Sequence, residues 1–366
     1  MPRTGIADLP LHGGSAPRWL FERMVKLAKA IVDVIVIEYD TKEVVRRMAD
    51  PFWFQAFSCV LGFDWHSSGT TTVTCGALKE ALKQSDELCV AGGKGRFSTL
   101  APADIRSWSS AHELSPKKES ELVYASRMAA KVDSSAVQDG YDLYHHSFIF
   151  DREGNWTVIQ QGMDEKLGYA RRYHWFSGEL HEFVEEPHSA ILGVKSDLVL
   201  DMTSRMSRDS RKLSVDLVNE GVERLQREIV NIDKGQSLLS YWTGERIFRL
   251  NMPRSVNWNV LRKAYEFHPT NYEELLSVRG IGPSTVRALA LIGELVYGAE
   301  PSRRDPVKFS FAVGGKDGVP FPVDRKAMDE SIQLLIDGVY CAKLGNKEKL
   351  SALKRLRSLV PSYGYS

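Results

Sequence analysis

Two glycines that enclose one apolar residue lie between two short helical patterns in the last third of the chain. The residues are Gly280, Ile281 and Gly282, and Pro283 follows at the position expected for the first residue of the second helix. Glycine accepts backbone angles that other residues resist, and it lets a foreign backbone come close. The free N–H groups of such a turn and of the helix start can donate to a phosphate oxygen. The pattern therefore predicts a contact to a phosphate oxygen.

The stretch from Leu275 to Leu295 resembles the helix-hairpin-helix motif, because Thr285, Ala288 and the apolar spacing also agree with it. The resemblance implies DNA as the partner. It places the backbone contacts at Arg279, Gly280, Ile281, Gly282, Ser284 and Thr285. It also allows a monovalent cation at the hairpin, although the sequence identifies no certain cofactor. The alternative interpretation is a glycine turn that serves packing or a protein contact.

Two further groups of cations are candidates for DNA binding. Arg171 and Arg172 lie among aromatic residues in the segment from Ala170 to Trp175, a combination that suits phosphate pairing and base stacking, although a structural edge strand has a similar composition. The second group is a basic stripe at helical spacing, and it is either a solvated face or a phosphate contact. The stripe consists of Arg205, Arg208 and Lys212.

The C-terminal part is similar to helix-hairpin-helix DNA glycosylases, in which a Val-Asp step opens another helix after the hairpin. Val323 and Asp324 form such a step, and the resemblance implies that Asp324 stabilises cationic character on the sugar during base release. Ser284 stands where bifunctional members carry a lysine, which indicates the monofunctional branch. The hairpin and Asp324 are about twice as far apart as is usual in that family, and Asp324 can instead be a plain helix cap. Lys316 is either a lyase nucleophile or a phosphate contact.

The histidines suggest a different chemistry. His66 follows Asp64 and precedes a run of small hydroxyl residues, so that Asp64 can orient His66 as a general base. The alternative for this loop is a capped helix start with a buried tryptophan. His66 and His145 each begin a His-x-Ser pattern, which resembles the doublet of two-histidine phosphoesterases. Acidic residues for a metal nuclease show no recognisable ligand spacing, so we assign no metal ligands, and a divalent metal is expected only if the protein is a nuclease.

The elements that must position these residues include a predicted β-hairpin. Two segments rich in β-branched and aromatic residues, 144–150 and 155–161, flank a four-residue turn. In the register that this turn predicts, His145 pairs with Gln160, and both share one face with Ser147. A polar face on an apolar hairpin is either exposed to solvent or part of a site.

Helical periodicity dominates the rest of the chain. One amphipathic helix is predicted to begin after Ser115 as its cap, with Pro116 in its first turn. We predict an α+β fold in which residues 1–135 form a mixed α/β region and residues 136–200 add the β-hairpin to its sheet. Residues 201–366 then form an all-helical helix-hairpin-helix domain.

Composition limits the class of protein. The 366 residues are 43% hydrophobic and 26% charged, with a net charge of +1, which is typical of globular proteins without a global basic signal. Any positive DNA-binding surface must therefore be local. The four cysteines include no close pair, which favours a reduced, intracellular environment. The most apolar stretch, 30–37, is too short to span a bilayer, so we expect a cytoplasmic protein without a membrane partner.

Several stretches are together similar to a prokaryotic, largely archaeal family of unknown function. They are Arg3–Gly14, Asp64–Gly69, Gln160–Met163, Ala170–Trp175 and Gly314–Arg325. This resemblance implies no activity. From the residues and the resemblance to helix-hairpin-helix glycosylases, we predict a DNA-binding protein of DNA repair or processing that cleaves a base–sugar bond. The alternatives are a DNA nuclease with a histidine-based site in the N-terminal region, and a non-catalytic nucleic-acid-binding or adaptor protein. Strand state and oligomeric state are open.

Overall fold

An antiparallel sheet with helices on both faces is the framework of the protein. The computed structural model describes residues 9–11, 16–63, 67–197, 199–228, 253, 256–307 and 325–359. The helices of the first part are α1 (Arg18–Glu38), α2 (Thr41–Ala49), α3 (Pro51–Leu61), α4 (Ser68–Ala81), α5 (Ala101–Ala111) and α6 (Pro116–Lys131). Those of the second part are α7 (Arg208–Asn219), α8 (Trp258–Phe267), α9 (Tyr272–Ser277), α10 (Pro283–Tyr297), α11 (Arg325–Cys341) and α12 (Asn346–Leu359).

The strands form one large sheet and one small one. They are β1 (Leu9–Pro10), β2 (Leu88–Lys94), β3 (Val137–Gln138), β4 (Asp142–Asp151), β5 (Trp156–Asp164), β6 (Tyr169–Phe176), β7 (His188–Leu192) and β8 (Leu200–Asp201). The large sheet has the order β1-β6-β5-β4-β2, with β7 also paired to β6, and β3 pairs with β8. Every pair is antiparallel. The predicted α+β class is thereby confirmed.

Local sequence signals begin several helices. The Ser115 side chain accepts a hydrogen bond from the Lys118 N–H at 3.3 Å and Pro116 opens α6, as the sequence predicts. Asp50 caps α3 in the same way, accepting from the N–H of Phe52 at 2.8 Å. Pro283 is the first residue of α10, where its missing N–H costs nothing.

The β4–β5 hairpin is confirmed, but its predicted register is wrong by one residue. His145 pairs with Gln161 rather than Gln160, and Gln160 pairs with His146. The reason is the turn, which closes with the Asp151 N–H donating to the Asn155 carbonyl at 3.1 Å and therefore has three residues, not four. A one-residue change of register moves a side chain to the opposite face of the sheet.

The two faces of the sheet bury different parts of the chain. The α4 face carries Ile149 and Ile159 and shares a core with α1–α4, and the last helices α11 and α12 complete this core by packing on α1 and α3. The α6 face carries Phe148 and Val158, and it shares a core with α5, α6 and α7–α10. Side chains from 91–202 and from 215–292 thus belong to one core. The domain boundaries predicted at residues 135 and 200 stay predictions. Residues on both sides of these boundaries contribute to this core.

Among the described residues, every helix falls short of the length and apolar character needed to cross a bilayer.

Candidate nucleic-acid interface

The glycine turn joins α9 to α10 with its central apolar residue turned inward. Ile281 is buried in the core beneath the α6 face, and its N–H donates to the Val278 carbonyl at 3.2 Å. Gly280 has a φ of +100°, a left-handed conformation that favours glycine. A short helix, a tight turn and a longer helix therefore follow one another here, in the order that the sequence predicts.

The two glycines of the turn serve different needs. A Cβ built on Gly280 would lie 2.6 Å from Val260 Cγ2, so the approach of α8 excludes any side chain there. Gly282 has an extended backbone with a φ of −141°, and a Cβ there would meet no atom closer than 3.9 Å. Packing therefore explains Gly280. Neither packing nor backbone conformation explains Gly282.

Free backbone donors surround an open cleft at the start of α10. The N–H groups of Gly282, Ser284 and Thr285 donate to no acceptor in the described part of the chain. The cleft has a volume of about 660 Å³ and lies between residues 256–259 and the glycine turn. The positive end of the α10 dipole adds to the attraction for an anion. This arrangement can bind a phosphate oxygen without contacting a base.

Three cations lie near the turn. Arg279 is exposed and forms no ion pair with a described residue. Arg262 is exposed one helical turn after Trp258, which lines the cleft. The Lys131 ammonium donates to the Ile281 carbonyl, and burial lowers the pKa of Lys131. A cation of the chain itself therefore holds the turn, and the monovalent metal ion at the hairpin stays a prediction.

The basic stripe on α7 and just before it is largely paired with acidic residues. Arg208 Nε donates to Glu185 at 3.0 Å, and Arg205 lies 3.4 Å from Glu186. Lys212 is exposed and has no partner among the described residues. A phosphate at Arg205 or Arg208 must compete with these carboxylates, whereas Lys212 is available.

Arg171 lies on the α6 face and is fully buried, which corrects its predicted place on a DNA-binding surface. Its guanidinium donates to Asp139 at 2.8 Å, to Asp305 at 2.7 Å and to the Val194 carbonyl at 2.6 Å. Burial alone would lower the pKa of Arg171, but the two carboxylates raise it above its usual value. This arginine is part of a buried ion network.

Arg172 is also fully buried, so the same correction applies to it. Because neighbouring residues of a strand point to opposite sides, its side chain lies on the α4 face. The guanidinium carbon lies 4.8 Å from the centre of the Phe54 ring, and Nη1 lies 3.4 Å from Thr71 Oγ1. Burial lowers the pKa of Arg172 to about 10.

His145 is buried on the same face, with Nε2 at 3.0 Å from Ser147 Oγ. Burial lowers its pKa to about 3, so the ring is neutral at pH 7. The remaining predicted catalytic residues lie outside the described residues. They are Asp64, His66, Lys316 and Asp324. Within the described ranges, no group of three His, Cys, Asp or Glu side chains is arranged to hold a metal ion.

A buried chain of polar side chains, which the sequence did not predict, lies on the α6 face. His146 lies 2.9 Å from both Ser126 Oγ and the Gln160 side-chain oxygen, and Gln160 donates to Asp133 at 2.5 Å. Asp133 also accepts from Trp175 and contacts His188. The only sequence signal was polar residues inside apolar strands, and the predicted register placed Gln160 on the wrong face.

Comparison with known families gives a match over most of the chain. The family model described as "Protein of unknown function (DUF763)" matches residues 5–323. The search of curated proteins and the search of solved structures each returned no match.

Proposed function

The chain belongs to the DUF763 family of proteins of unknown function, and we propose that it binds the backbone of a nucleic acid, DNA in the first instance. The binding surface is the cleft between the start of α8 and the turn at 280–285. Phosphate oxygens accept from the free N–H groups of Gly282, Ser284 and Thr285. Such contacts position a protein on the backbone without reading the base sequence.

Gly282 is the observation that carries this proposal. Its conformation is open to any residue and its Cβ position is empty, yet it has no side chain, and it lines the cleft where a ligand backbone would come close. An external backbone that packs against the turn supplies a physical reason for that glycine. Exposed Arg279 and Arg262 add positive charge that no described carboxylate neutralises.

The chemistry performed on the nucleic acid stays a prediction. Base release by a glycosylase-like reaction depends on Asp324, which lies outside the described residues. The alternative nuclease depends on a site at His66 and His145, of which His66 also lies outside the described residues. Three further statements belong to the proposal. They are that the protein takes part in DNA repair, that its family is largely archaeal, and that a separate helical domain follows residue 200. Incubating the protein with DNA that carries a panel of lesions, with and without Mg²⁺, separates base release from strand cleavage.

The variant Gly282→Asp tests the interface with little risk to the fold. An aspartate at this helix cap can accept from the N–H groups of the first turn, which stabilises α10. The same carboxylate occupies the proposed phosphate donors and repels the backbone. Each charge-assisted hydrogen bond is worth about 1.5–3 kcal/mol, so we expect the Kd for labelled DNA to rise about tenfold or more.

Fluorescence anisotropy with single-stranded DNA, duplex DNA and RNA of one sequence gives the affinities and shows which polymer is preferred. Gln84→Asp, in an exposed turn between α4 and β2, makes the same charge change outside the cleft and serves as the control. Wild-type affinity should fall with rising salt. Equal affinities of Gly282→Asp, Gln84→Asp and the wild type would show that the cleft does not bind nucleic acid.

A further inference from the structure

The α4 face of the sheet buries an arginine that has no counter-charge among the described residues. Arg172 is 0% exposed, and its Nε and Nη2 atoms have no hydrogen-bond partner among the described residues. The one side-chain hydrogen bond that it makes to a described residue runs from Nη1 to the Thr71 hydroxyl in the first turns of α4, at 3.4 Å. The Phe54 ring covers one side of the guanidinium. The free edge of a planar fork of donors is therefore enclosed in the protein.

The neighbouring arginine shows how this chain normally treats a buried guanidinium. Arg171 projects to the opposite face of the sheet and meets two carboxylates, those of Asp139 and Asp305. Burying a cation without an anion is far more costly than burying a pair. The contrast between adjacent residues indicates that Arg172 is matched by an anion that does not come from the described side chains.

The other groups around Arg172 add no negative charge. Burial raises the pKa of the Cys75 thiol to about 12, so Cys75 is protonated at pH 7. Burial lowers the pKa of His145 to about 3 and that of His174 well below its usual value, so both rings are neutral. The Nδ1 atom of His145 is buried and has no hydrogen-bond partner among the described residues.

The start of α4 supplies further donors beside Arg172. The helix has 14 residues, and its cap residue Ser67 makes no side-chain capping bond. The Gly69 N–H has no acceptor in the described part of the chain. Gln161 fixes this first turn to the sheet, because its amide donates to the Ser68 carbonyl at 2.9 Å and its oxygen accepts from Thr71. A helix start of this length favours an anion.

We propose that Arg172 and the first turn of α4 form a binding site for a phosphate-sized oxyanion, either free phosphate or the phosphate group of a nucleotide. Arg172 offers Nε and Nη2, two parallel donors that match two oxygens of one phosphate. The helix start offers the Gly69 N–H. The site is independent of the proposed nucleic-acid cleft, because the cleft's turn packs on the α6 face of the sheet.

Titration calorimetry of the full chain with inorganic phosphate tests the site, with chloride at equal ionic strength as the reference. We expect saturable binding of one phosphate per chain. Arg172→Lys keeps the positive charge but loses the two parallel donors, and should weaken phosphate binding about tenfold or more. Arg18→Lys makes the same substitution at an exposed arginine of α1, outside both proposed sites, and should leave phosphate binding unchanged.

A parallel titration with deoxyadenosine monophosphate identifies the source of the anion, since tighter binding than inorganic phosphate indicates a nucleotide. Thermal unfolding with and without phosphate checks the result on the same samples. Absence of saturable phosphate binding by the wild type would overturn the proposal, whether or not Arg172→Lys folds. A second result would also overturn the proposal, namely that Asp64→Asn lowers stability and creates phosphate binding that the wild type lacks. Asp64 would then be the counter-ion of Arg172. If the wild type binds DNA but not phosphate, the phosphate site at Arg172 is refuted and the proposed nucleic-acid cleft is not.

Discussion

The glycine turn allows two neighbouring positions to be compared with the same substitution. In Gly280→Ala the new Cβ must adopt a φ of +100° and would lie 2.6 Å from Val260 Cγ2. In Gly282→Ala the backbone is extended, and the nearest atom to the new Cβ is the Gly280 carbonyl oxygen at 3.9 Å. Both substitutions add one methyl group, but only the substitution at Gly280 disturbs the fold.

The expected effect on the free energy of unfolding differs by several kcal/mol. A left-handed conformation costs an alanine about 1–2 kcal/mol, and crowding a packed contact costs about 1–3 kcal/mol more. Either alanine restricts the unfolded chain, which stabilises the protein by about 0.4–1 kcal/mol. We therefore expect Gly280→Ala to destabilise by about 2–4 kcal/mol. For Gly282→Ala the unfolded-state gain offsets the poorer helix cap, so the net change is within about 0.5 kcal/mol.

Urea denaturation followed by circular dichroism, with linear extrapolation to water, measures both values. The same samples then go into the DNA anisotropy assay. Gly280→Ala must lose stability if the contact with Val260 excludes a side chain at this position. The proposed function requires Gly282→Ala to lose affinity while it keeps stability, because its methyl group enters the cleft. Equal stability losses in the two variants would refute the assignment of packing to Gly280 alone.

Three further predictions concern the buried polar groups of the sheet. Arg171→Met should destabilise by about 3–5 kcal/mol, measured by urea denaturation, because it leaves Asp139 and Asp305 buried without their cation; a loss below about 1 kcal/mol would contradict this. His145→Gln should flatten the pH dependence of stability. In the wild type the pKa of His145 is about 3 in the folded state and about 6.5 in the unfolded state, so only the unfolded chain binds a proton as pH falls below 6.5. The free energy of unfolding of the wild type therefore declines by about 1.4 kcal/mol per pH unit through this group. The free energy of unfolding of the wild type and of His145→Gln, measured at pH 7, 6 and 5, checks this difference in slope. Equal slopes in the two proteins would contradict the prediction. Asp133→Asn should cost about 1–3 kcal/mol in the same denaturation assay, because an amide cannot accept from all the donors that surround Asp133.

The hairpin shows where prediction from sequence stops. Alternating residues correctly predict strands around 144–150 and 155–161, yet the turn has one residue fewer than expected. Gln160 consequently lies with His146 on the α6 face, and Gln161 lies with His145 on the α4 face. Turn length is a property of a few backbone bonds, but it determines the face of every side chain in the strand.

The sequence by itself determined the local features, namely the α+β class, the cap at Ser115, the proline that opens α10 and the tight glycine turn. Each depends on interactions among residues a few positions apart. Only the tertiary structure decided what becomes of Arg171 and Arg172, which the sequence presents as one basic pair. Strand alternation sends them to opposite faces, and their surroundings come from distant segments, Asp139 and Asp305 for the first and Thr71 for the second. Because those contacts form only when the helices cover the sheet, no local pattern could reveal that one guanidinium meets two carboxylates and the other meets none among the described residues.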